Sequence, residues 1–176
     1  MAQIRSLYTI IKIMIPRNIL SLVLILLTGQ IPVICQTNQD ESRIEYINNL
    51  KIASELFLSK SEIPETVLLG LVPYSHDEFE LYYATTYPDN KLQDSQFFYI
   101  STKMIFKKVT IENSENFYLP SLQLASFADG EYGEEFIEFL EEIINIDNKK
   151  FCESVKGKGY AKHNPIKYYY DELKCK

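Results

Sequence analysis

EYGEEFIEFLEEIINI, residues 131–146, decides the fold class. Tyr132, Phe136, Phe139, Leu140 and Ile143 recur at the three- and four-residue spacing of one helix face, while Glu134, Glu135, Glu138, Glu141 and Glu142 fall largely opposite. Asp129-Gly130 just before it forms a strong turn signal. Downstream, Asp147 can cap a short helix containing Phe151, Cys152 and Val155, stopped by Gly157. Asn164-Pro165 then starts a final helix through Tyr168, Tyr169, Tyr170 and Leu173.

Upstream the same period recurs. Ser42 and Glu45 have capping-box spacing, and Ile44, Ile47, Leu50, Ala53 and Phe57 follow at helical intervals, predicting a helix over 43–59. Pro64 suits the first position of a second helix running to Val72. Ser75-His76-Asp77-Glu78 is a second capping box, opening a helix that closes before Pro88. A fourth helix is predicted from about Leu92 to Val109, and a fifth from Ser114 to Phe127, with Pro120 kinking or restarting it. Lys108–Glu112 is the best strand-like run, and it is short. The expected fold is all-α: seven or eight short antiparallel helices in an irregular bundle or helical-hairpin array. Self-similarity at periods of roughly 33–47 residues, the mark of helical solenoids, is not evident.

The N-terminus has a different character. Residues 1–35 contain Arg5, Lys12 and Arg17 and no acidic residue, and Ile19–Leu27 is apolar apart from Ser21. Gly29 and Pro32 interrupt it, and a polar stretch begins at Gln36. That order is the export-signal pattern. The apolar run falls short of the roughly 20 residues a membrane-spanning helix requires. Residues 1–35 are therefore expected to be a signal peptide, 36–42 a polar linker and 43–176 one helical domain. Cleavage after Cys35 makes the product periplasmic or extracellular. Acylation of the Cys35 thiol would instead make it lipid-anchored, although the bulky Ile34 before it departs from lipoprotein signals.

Removing the signal changes the charge balance. The full chain has 18 basic and 24 acidic residues; without Arg5, Lys12 and Arg17 the balance is 15 against 24, or −9. Such a surface repels phosphate backbones and anionic headgroups, so nucleic acid is excluded as a partner, and membrane contact is left to the signal segment or a Cys35 anchor. A cationic protein is the partner it attracts. The two remaining cysteines, Cys152 and Cys175, form a disulfide candidate in an exported chain.

Motifs for catalysis are sparse. His76-Asp77-Glu78 is the densest cluster, but consecutive helical residues diverge by about 100° and cannot converge on one ion. A helix N-terminus, where acidic residues are favoured by capping and the macrodipole, is the better explanation of these residue types. His76 and His163 are the only histidines, and neither stands in a nucleophile motif. Asp129-Gly130-Glu131 lacks the alternating oxygen ligands of a calcium loop, so no metal site or cofactor is expected. Lys156–Lys162 reads as a flexible basic loop. Tyr168-Tyr169-Tyr170 sweeps about 200° around a helix, so at least one ring should reach solvent, as interface tyrosines do. The leading expectation is an exported, non-catalytic domain that binds protein in the cell envelope or outside the cell. An envelope inhibitor or immunity-type protein is one version of it, and a hydrolase using His76 or His163 is the alternative.

Overall fold

The computed structural model describes residues 31–128 and 132–176, with side chains described from residue 41. The chain divides at Ile44/Glu45. Among the described residues there are eight α-helices and no strand: α1 Ile31–Leu58, α2 Glu65–Leu69, α3 His76–Tyr83, α4 Phe97–Thr110, α5 Glu115–Ala125, α6 Gly133–Ile146, α7 Asn148–Val155 and α8 Ile166–Glu172. Short 3-10 turns occupy Ala84–Thr86, Gln93–Ser95 and Gly159–Lys162. No described helix is long and apolar enough to cross a membrane. The expected signal segment up to residue 30 and the Asp129-Gly130 turn lie outside the described residues, and so does the side chain of Cys35.

Two expectations about α1 are corrected. Residues 36–42, expected as a linker, are helical, so Ser42 sits within a helix and caps nothing. No glycine or proline follows Pro32 before the end of this helix, and a proline in the first turn is tolerated. The inward face also differs from the one expected, but only at its start. Ile44 and Ile47 are 59% and 42% exposed, whereas Tyr46 and Ala53 are buried, with Leu50 and Phe57 packed against the core. Leu50, Ala53 and Phe57 thus keep the expected stripe, and Tyr46 is the inward residue where Ile44 and Ile47 were expected. Tyr46 is drawn inward because its hydroxyl donates to the Leu71 carbonyl at 2.9 Å.

Local chemistry sets the next boundaries. Pro64, expected at the first position of α2, is instead its N-cap, and the helix stops at Leu69 and not Val72. At α3 the Glu78 N–H donates to Ser75 Oγ at 3.2 Å. The Glu78 carboxylate reaches one residue further back than a capping box requires, accepting from the Tyr74 N–H at 2.6 Å. α4 begins at Phe97 and not near Leu92. Ser95 Oγ donates to the Leu92 carbonyl and accepts from the Phe97 N–H, and Asn90 Oδ1 accepts from the Leu92 N–H. These side chains hold a tight turn in place of a first helical turn, and Gln96 completes the break in the left-handed region at φ 57°. α5 runs through Pro120. Asp147 caps α7 by accepting from the Lys150 N–H at 2.9 Å.

The core lies around α4, which packs against α2, α5 and α6; α6 also packs against α5 and α7. Much of the tyrosine and phenylalanine content is spent here. Phe79 stacks on Phe127 at 5.0 Å between ring centres, Phe106 stacks on Phe139 at 4.8 Å, and Phe98 meets Tyr82 edge-on at 4.9 Å. Such pairs prefer stacked and edge-to-face geometry because of the ring quadrupole, and contribute about 0.5–1.5 kcal/mol each beyond area burial. Two buried hydroxyls donate to backbone carbonyls: Thr102 Oγ1 to Phe98 at 2.9 Å, and Ser121 Oγ to Ile105 across the α4–α5 contact at 3.4 Å. Lys108 joins α2 to the end of α4, with its Nζ 2.9 Å from Glu65 and 2.8 Å from Glu112. Cys152 and Cys175 are bonded, with Cα atoms 5.2 Å apart, and fasten the C-terminus to α7.

Candidate functional site

A groove of about 1000 Å³ opens beside the N-terminus of α3. One wall is Tyr74, Ser75, His76 and Glu80. The α3 cap sets its shape. Because the buried Glu78 holds the Tyr74 N–H and Ser75 holds the Glu78 N–H, the chain is anchored on both sides of Ser75. The Tyr74 ring is left 81% exposed at the rim. One helical turn beyond His76, the Glu80 carboxylate lies 3.4 Å from His76 Nε2. The floor comes from Gln123 near the end of α5 and from Ser126, Phe127, Ala128 and Tyr132 beyond it.

The opposite wall is Gly159, Tyr160, His163 and Asn164. The basic stretch 156–162, expected as a flexible loop, is here ordered into a 3-10 turn over Gly159–Lys162 that packs against α8. Gly157, with φ 75°, supplies the left-handed turn into it after α7. Tyr160 anchors the wall by packing against the core, and its hydroxyl is buried. That burial raises the phenol to about 12, because the phenolate would have to leave water. At its far end the wall passes through a cis Asn164–Pro165 bond into α8, whose Ile166 is fully buried.

The structure thus brings both histidines to one groove, a pairing that no spacing in the sequence foretold. It does not add a nucleophile to them. Ser75 Oγ serves the α3 cap, and Ser126 Oγ donates to the Gln123 carbonyl at 2.6 Å. Among the described residues no three His, Cys, Asp or Glu side chains are grouped to hold a metal ion.

The tyrosine triplet separates into three environments. Tyr168 is 57% exposed and meets the Tyr169 ring edge-on at 5.1 Å. The Tyr169 hydroxyl donates to Glu141 on α6, and Tyr170 is half-buried against the core. Tyr168 is the most exposed of the three, and Tyr169 and Tyr170 help dock α8. The more exposed ring, Tyr74, was missed in the sequence because the residue just outside a cap carries no periodic signal. Comparison with known protein families, curated proteins and solved structures finds no match to this chain.

Proposed function

We propose that this chain is an exported domain that binds another protein in the cell envelope or outside the cell. The observation carrying this reading is the groove beside α3, with the Tyr74 ring standing at its rim. A wide, solvent-open concavity with mixed aromatic and small polar lining suits a protein surface, and tyrosine supplies large contact area at low entropic cost. The N-terminal pattern supports export, and the disulfide is of the kind that persists in oxidising compartments. An inhibitor or immunity-type role is the version in which the bound protein is a cationic toxin or hydrolase.

The test is site-specific photo-crosslinking in the native cell, with the photoreactive residue at position 74 and, as a control, at the exposed Lys149. A discrete protein adduct from position 74 and none from position 149 is expected. Equal labelling from both, or adducts from neither, overturns the reading.

A second reading, hydrolysis using His76 or His163, is favoured by one observation: both line the same groove, and His76 lies within 3.4 Å of a carboxylate. Purified protein and its His76→Ala and His163→Ala variants, assayed on ester and peptide substrates, test it. Turnover abolished by either substitution would establish the hydrolase and displace the binding role.

A further inference from the structure

Resting on the protein-binding reading, we infer that the groove beside α3 seats an arginine side chain of a cationic partner. Three features converge on that chemistry. The groove contains a carboxylate, Glu80, whose neighbour at 3.4 Å is the imidazole of His76 and not a lysine or arginine. Among the described residues no lysine or arginine lines it. The groove between α4 and α6, about 700 Å³, differs in this respect: Lys103 and Lys107 stand in its wall, and Lys103 Nζ lies 3.6 Å from Glu135. Lysines stand in the lining of that groove; among the described residues lining the one beside α3 there are none, and Lys158 and Lys162 flank its second wall without lining it.

The third feature is aromatic. Tyr74, Phe127 and Tyr160 line the groove together with Glu80. A guanidinium is planar, weakly hydrated and always charged, so it can lie on an aromatic face while its N–H groups donate to a carboxylate. A lysine ammonium is a compact, strongly hydrated charge and gains less from the rings. The body's charge of −9 after residue 35 draws a cationic protein towards the whole surface. Rings and carboxylate together at this one place give that attraction a specific seat.

The experiment is an amide NMR titration of the oxidised protein with acetyl-Gly-Arg-Gly-amide and with the same peptide carrying lysine or citrulline. Citrulline keeps the planar shape and removes the charge. The arginine peptide is expected to shift amides of 74–80 and 159–164, the lysine peptide less, and the citrulline peptide least. Glu80→Gln should weaken the arginine effect by about 2- to 5-fold, as for other solvent-exposed ion pairs, and Tyr74→Ala by a similar factor. Equal shifts from citrulline, shifts confined to the glutamate face of α6, or no shifts at all overturn the proposal. A position-74 adduct without arginine-specific shifts removes the arginine seat and leaves protein binding intact. Arginine-specific shifts without an adduct do the reverse.

Discussion

The phenol of Tyr46 donates a 2.9 Å hydrogen bond to the backbone carbonyl of Leu71 from a site only 5% exposed. This contact ties α1 to the segment following α2 and fixes which face of α1 turns inward. Tyr46→Phe keeps the ring and removes the donor, leaving a carbonyl in apolar surroundings. A loss of about 1–2 kcal/mol in urea denaturation is expected. Ile47→Ala, on the exposed face, should change stability by no more than about 0.5 kcal/mol. If Ile47→Ala proves the costlier substitution, the rotational setting of α1 is different.

Gly70 ends α2 with φ −70°, a conformation open to any residue. A Cβ there would stand 2.5 Å from Asn49 Nδ2, which donates to the Val67 carbonyl at 2.8 Å. Gly70→Ala should therefore cost about 1–3 kcal/mol through displacement of the Asn49 amide. In an Asn49→Ala background the same substitution should become neutral, or stabilising by about 0.4–1 kcal/mol, since alanine lowers the entropy of the unfolded chain. A double-mutant cycle measured by denaturation gives the coupling directly. Additive costs would mean the two side chains do not compete.

The Cys152–Cys175 bond encloses Gly159–Lys162, His163 and Asn164, the second wall of the groove. Replacing both cysteines with serine should lower stability by about 3 kcal/mol, the loop-closure contribution for a segment of this length. Hydrogen exchange should rise first over 157–172, with α4 still protected. Uniform acceleration throughout the chain would show that the bond stabilises the fold as one unit and not this wall in particular.

Burial raises three phenols in different parts of the core: Tyr160 to about 12, and Tyr82 and Tyr46 higher still. An ordinary tyrosine ionises near pH 10. Below that value both folded and unfolded states keep the proton, and these groups give stability no pH dependence. From about pH 10 upwards the unfolded chain loses protons that the folded chain retains, so stability falls as pH rises through the folded values. Urea midpoints between about pH 9 and pH 12 should stay level and then decline, with a late wave of tyrosinate absorbance. A flat profile would mean that these hydroxyls are solvated.

The all-α class could be read directly, because helix chemistry is local. Phe136, Leu140 and Ile143 recur at helical spacing on α6 and are all buried. Ser75 and Asp147 were recognisable as caps because each needs only a backbone donor three residues away. Cys152 and Cys175 could be paired because they are the only cysteines after Cys35. On α1, Leu50, Ala53 and Phe57 keep the expected stripe, and only its start differs, where Tyr46 is buried and Ile44 and Ile47 are exposed. The hydrogen bond that draws Tyr46 inward goes to a carbonyl in another segment and leaves no local signal.

The sequence by itself determined the helical class, the caps at Ser75 and Asp147, the acidic balance and the disulfide partners. Each depends on composition or on neighbours within a turn of chain. Tertiary structure alone decided that His76 and His163 line one groove, that Tyr74 stands at its rim, and that Tyr169 bonds Glu141 on α6 while Tyr170 packs against the core. These are relations between elements distant in sequence. They are set by how aromatic side chains of α3, α4 and α6 interlock around Phe79, Phe98 and Phe136, a packing outcome that no local period encodes.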